Sequence, residues 1–127
     1  MDAMATMILN ARSLSVEFTR AERIAGLLGD IQVPLSAISS ATLESDPLTA
    51  AGGLRAPGLA IPGRRKIGTW RGRGRRAAVS VRAGVPAVRL RLHGAKFDEL
   101  LISSASAGAV VGSLQQHINS SRGTEQP

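Results

Sequence analysis

Val88-Arg89-Leu90-Arg91-Leu92-His93 alternates apolar and polar residues without a break. Successive side chains of a strand point to opposite faces, so this run builds a strand with Val88, Leu90 and Leu92 inward and Arg89, Arg91 and His93 outward. The same period of two recurs at Leu14, Val16 and Phe18, set between Ser13, Ser15 and Glu17, and again at Ile31, Val33 and Leu35. A chain patterned in this way folds into antiparallel sheets with one dry and one wet face.

The rest of the chain fits that frame. Residues 7–18 read as the first strand. Thr19 and Glu22 have the spacing of a capping box that opens a short helix through Leu28, stopped by Gly29. Pro34 marks a strand end or an edge, because proline donates nothing to a ladder. Residues 38–44 form another short strand. Asp46-Pro47, Gly52-Gly53, Pro57-Gly58 and Pro62-Gly63 are turn dipeptides, so 46–63 reads as a long loop with one helical turn near 48–51. Strands follow at 66–71, 77–82, 88–93 and 97–103, with reversals at Gly72-Arg73-Gly74-Arg75, Gly84-Val85-Pro86 and Gly94.

From Ser104 the period changes. Ala107, Val110, Val111, Leu114 and Ile118 fall at helical spacing, with Ser104 or Ser106 as the cap. The polar residues 120–127 read as a disordered tail, and 1–12 as an N-terminal segment that joins the first strand. The expected architecture is one domain over 13–119, mainly β, a partly open barrel or sandwich capped by a C-terminal helix.

A chain of 127 residues supports one real core. Only Phe18, Trp70 and Phe97 are aromatic, so that core is built from Leu, Ile, Val and Ala. The absence of cysteine excludes disulfides, thiolate metal sites and cysteine nucleophiles. The first ten residues lack the basic and apolar regions of a signal peptide, and no apolar run approaches the ~20 residues that span a bilayer. The expected location is cytoplasmic, with peripheral contact at a membrane left open.

Charge supplies the functional expectation. No acidic residue lies between Asp46 and Asp98, while Arg55, Arg64, Arg65, Lys66, Arg71, Arg73, Arg75, Arg76, Arg82, Arg89, Arg91 and Lys96 all do. Twelve of the 16 basic residues of a chain with net charge +7 thus form one uncompensated block. Arginine presents a planar fork of donors suited to phosphate and carboxylate, so the block points to an anionic partner. The candidate ligand-binding residues are Arg64, Arg65, Lys66, Arg71, Arg73, Arg75 and Arg76 from a loop and hairpin, with Arg89 and Arg91 from the strand face. Against this stands a solvated, arginine-rich surface of compositional origin, and Trp70 fits a buried position as well as a stacking one.

Catalytic patterns are missing. His93 and His117 lack metal-ligand spacing, Asp98 and Glu99 point to opposite faces of a strand, and Gly72-x-Gly74 is too short for a dinucleotide loop. No cofactor, metal or enzymatic activity is expected.

The order of elements, together with Gly29-Asp30-Ile31-Gln32-Val33-Pro34-Leu35-Ser36-Ala37-Ile38 and Ile61-Pro62-Gly63-Arg64-Arg65-Lys66-Ile67-Gly68-Thr69-Trp70, resembles the bacterial pleckstrin-homology-like (PH-like) domains of small actinobacterial proteins. The resemblance implies seven antiparallel strands in two near-orthogonal sheets, with the C-terminal helix closing one corner. It implies a binding module rather than an enzyme. Eukaryotic phosphoinositide-binding members carry a Lys-x-Arg cluster between the first two strands, where this chain has Arg20 and Arg23 beside Glu22 and Asp30. Three partners follow as alternatives: an anionic surface of acidic phospholipid or acidic protein, nucleic acid bound by the same arginines, or a protein strand added to a sheet edge.

Overall fold

The computed structural model describes residues 6–18, 31–50, 54–61, 64–72 and 74–125, with side chains described at these positions except 49, 50, 54–61, 71, 72 and 120–125. The capping box at Thr19 and Glu22, the helix it opens, Gly29, the Gly52-Gly53 and Pro62-Gly63 turns and Arg73 lie outside the described residues.

The architecture is mainly β. A three-stranded sheet holds β1 (Thr6–Leu9), β2 (Ser13–Glu17) and β3 (Ile31–Pro34) in that order. A six-stranded sheet is ordered β4 (Ile38–Glu44), β8 (Ala87–Leu92), β9 (Glu99–Ser103), β7 (Arg75–Arg82), β6 (Arg65–Gly72), β5 (Leu54–Ile61). Helix α1 (Pro47–Ala50) is a single turn, and α2 (Ala107–Glu125) is the long C-terminal helix. The sheets do not close into a barrel, so the molecule is a partly open sandwich.

The first strand is shorter than the alternation suggests. Residues 7–18 break into β1 and β2 because Asn10 folds the chain back. Its Oδ1 accepts the N–H groups of Arg12 at 2.9 Å and Ser13 at 2.8 Å, and the Ser13 hydroxyl at 3.3 Å. An Asn side chain mimics a backbone turn in this way. Asn10→Ala removes all three acceptances and lowers stability by about 1 kcal/mol, to be read from the urea unfolding midpoint.

Pro34 ends β3, an edge strand, as its missing donor requires. The long loop expected over 46–63 is a correction: beyond α1 the chain forms strand β5. Pro57 and Gly58 hide it in the sequence, yet β5 is an edge, and its register with β6 shifts between Arg55 and Gly58. An edge and a bulge are the two places where a sheet tolerates proline. Helix α2 continues to Glu125, past the polar tail read after Asn119.

The largest departure from an all-antiparallel arrangement of seven strands is β9. It lies between β7 and β8, parallel to the first and antiparallel to the second. Residues joining β7 to β8 arch over its far end. There the Ser103 hydroxyl donates to Val85 O at 2.9 Å and accepts the Arg82 N–H at 3.0 Å, while Ser104 N–H donates to Pro86 O at 3.2 Å. Gly84 turns this arch with φ of 78°. At the near end Asp98 is tied to both neighbours: its N–H donates to Arg76 O at 2.8 Å, its Oδ2 accepts the Arg76 N–H at 2.9 Å, and its carbonyl accepts the Leu92 N–H at 2.8 Å.

Two apolar clusters follow from the alternation. Leu14, Val16 and Val33 of the small sheet, Ile67, Ala78, Val88, Leu90, Leu100 and Ile102 of the large sheet, and Val110, Val111 and Leu114 of α2 form the main core. On the opposite face of the large sheet Trp70, Val79, Val81, Ala87 and Leu101 pack with Leu48 of α1. The sole tryptophan is therefore a core residue, 5% exposed. Helix α2 opens at Ser106, whose carbonyl accepts the Val110 N–H at 3.0 Å, while Ser104 Oγ takes the Ser106 N–H at 3.2 Å. Its Gln115 side chain donates to Ala41 O of β4 at 2.9 Å, so the helix covers that edge.

Candidate anion-binding surface

The pairing registers decide where the basic block goes. Strand β6 begins with Arg65 opposite Arg82 and ends with Arg71 opposite Arg76 and Gly72 opposite Arg75. At ~3.3 Å of rise per residue, Arg65 and Arg71 lie roughly 20 Å apart. The described candidates Arg64, Arg65, Lys66, Arg71, Arg75 and Arg76 thus fall into two groups at opposite ends of the six-stranded sheet. A single clamp made from all of them is excluded.

At the first end, Arg64 is exposed and Arg65 and Lys66 are half-buried. Lys66 Nζ donates to Leu48 O at 2.9 Å, which ties α1 to the sheet. Arg65 and Arg82 are also engaged in contacts.

Arg89 is spent on neighbouring carboxylates. Its Nη1 lies 3.1 Å from Glu44 Oε1 and its Nε 3.5 Å from Glu99 Oε1, with each side chain about three-quarters covered. Strand geometry explains the trio: Thr42 is opposite Arg89 on β4 and Leu101 opposite it on β9, which sets Glu44 and Glu99 on the diagonals of the same face. The outward row of Arg89, Arg91 and His93 is therefore not a continuous cationic stripe. Arg91 is exposed and directly opposite Glu99, and His93 is exposed just past the strand.

The second end gathers four cations beside the exposed Asp98 carboxylate. Because β7 and β9 run parallel while β6 and β8 run against them, the start of β7, the start of β9 and the end of β8 meet. This brings exposed Arg75, half-buried Arg76, exposed Arg91 and exposed Lys96 to one rim, with His93 beside them. Among the described residues none of these four cations forms an ion pair with a carboxylate. Arg71 holds a register position at the same end. Gly74, at φ of 76°, makes the tight reversal that carries Arg75 there, a conformation glycine adopts without steric cost.

Comparison with protein-family models, curated proteins and solved structures returned no match. The surface must therefore be read from its own chemistry. The 93–98 connection belongs to that surface although Lys96 is not among the candidates drawn from the sequence. Its signal is faint: one lysine before a phenylalanine, placed by a parallel pairing that local sequence does not announce. Among the described residues no three of His, Asp and Glu gather as a metal site, and no helix is long and apolar enough to cross a membrane.

Proposed function

We propose that this chain is a non-enzymatic binding module whose β6–β7 hairpin tip and 93–98 connection engage an anionic surface. The supporting observation is the rim itself: Arg75, Arg76, Arg91 and Lys96 meet at one end of the large sheet, free of carboxylate ion pairs among the described residues. This narrows the basic block of the sequence to about a third of its members.

Acidic phospholipid headgroups suit the rim better than nucleic acid. All three aromatics are buried, Phe18 at 4%, Trp70 at 5% and Phe97 at 8% exposure, so no ring is offered to a base. Among the described residues the rim also lacks an exposed large apolar side chain, which makes attachment electrostatic and sensitive to salt.

Co-sedimentation with phosphatidylcholine vesicles, with and without phosphatidylserine, tests this. Binding is expected only to the anionic vesicles and is expected to fall steeply as salt is raised. Equal sedimentation with both vesicles, or none with either at low salt, overturns the membrane reading. Retention on an acidic protein column without vesicle binding would transfer the surface to a protein partner.

A further inference from the structure

A sheet that does not close has edges, and each edge strand offers unpaired N–H and C=O groups to another strand. The two sheets have four such strands: β1 and β3 in the small one, β4 and β5 in the large one. Three of them are blunted. Strand β3 ends in Pro34, β5 carries Pro57 at a break in its register, and β4 is covered at Ala41 by α2 through Gln115. Strand β1 has none of these devices. Thr6-Met7-Ile8-Leu9 contains no proline and no charge, pairs with β2 without a break, and has no second strand beside it among the described residues.

Its side chains suit a continued sheet. Met7 and Leu9 pack against the main core, while Ile8 on the other face is 44% exposed. Residues directly opposite each other in an antiparallel pair share a face. Two copies related by a two-fold axis can therefore lay β1 against β1, with Ile8 of one copy opposite Ile8 of the other and Met7 opposite Leu9. A slip of one residue would set Ile8 against Met7 or Leu9 and cross the faces. The contact is self-complementary, so it closes at two copies.

Charge selects this occupant. The chain carries a net charge of +7, and copies meeting through the basic block would repel. Residues 6–18 and 31–37 hold one cation, Arg12, and one anion, Glu17, so the described part of the small sheet is neutral on a basic molecule. An acidic partner is drawn to the cationic rim instead, whereas a second β1 is as neutral and apolar as the edge it meets.

We propose that β1 is the interface of a homodimer in which the two three-stranded sheets join edge to edge into one sheet of six strands. Strands of four residues make a small contact, so the dimer is weak and forms as concentration rises.

The test uses the full chain in sedimentation equilibrium from about 10 μM to about 1 mM, the range in which a small interface associates. Ile8→Lys and Leu43→Lys add the same charge at the two exposed large apolar positions among the described residues. The average mass of the parent is expected to rise from one chain toward two, and Leu43→Lys to behave alike. Ile8→Lys is expected to raise the dissociation constant at least about tenfold while keeping the urea midpoint of the dilute parent. Amide hydrogen exchange at residues 6–9 is expected to slow with concentration in the parent and not in Ile8→Lys. A parent that stays monomeric at about 1 mM overturns the proposal and leaves the edge to a strand of another protein. A dimer that Ile8→Lys leaves intact, or that both substitutions weaken equally, also overturns it, since the contact then lies elsewhere.

Discussion

Replacing Arg75, Arg91 and Lys96 together by glutamine is expected to lower partition onto phosphatidylserine-containing vesicles by on the order of 100-fold, because each cation near such a surface contributes ~1 kcal/mol and ~1.4 kcal/mol is a factor of ten. The position of each charge matters as much as the sum. Arg64 and Arg75 are both exposed and each removes one formal charge when replaced, yet they lie at opposite ends of β6. Arg64→Gln is expected to leave vesicle binding within about twofold of the parent, since charges beyond a Debye length of ~10 Å from the membrane are screened. Arg75→Gln is expected to weaken it about fivefold on the same ~1 kcal/mol per cation. Equal losses for the two single variants would mean that net charge, and not the rim, carries the binding.

The second large effect is on stability. Leu100 is fully buried on β9 and belongs to the main core. Leu100→Ala leaves a cavity that the strands on both sides cannot close, and the expected loss is ~3 kcal/mol. Leu43→Ala is the control: at 49% exposure on strand β4 it is expected to cost under ~0.5 kcal/mol. Urea unfolding followed by Trp70 emission reads both, since Trp70 lies on the opposite face of the large sheet and its surroundings are intact in each variant. A loss below ~1 kcal/mol for Leu100→Ala would mean that β9 is not packed as the threaded centre of that sheet.

Elements whose pattern is local were legible in the sequence. Residues 38–44 and the alternating run around Leu90 appear as β4 and β8, and the 3.6-residue period after Ser104 appears as α2. What was hidden depends on partners distant in the chain. Pro57 reads as a loop signal until its strand is known to be an edge, and nothing near Glu99 tells that β9 pairs in parallel with β7. The same limit applies to the surface. Arginine count is legible, but the separation of Arg65 from Arg71 and the capture of Arg89 by Glu44 and Glu99 follow from register alone.

The placement of β9 also dictates an order of assembly. Strands β7 and β8 are neighbours in the chain, yet neither can be zipped to the other, because the slot between them is reserved for residues synthesised later. On a ribosome the β5–β6–β7 meander emerges able to pair, while β4 and β8 wait as a separate ribbon until Glu99–Ser103 leaves the exit tunnel and staples the two halves. Closure of so many non-local pairings at one late step makes maturation slow. A nascent chain arrested before Glu99 should therefore remain open to proteases that the finished protein resists.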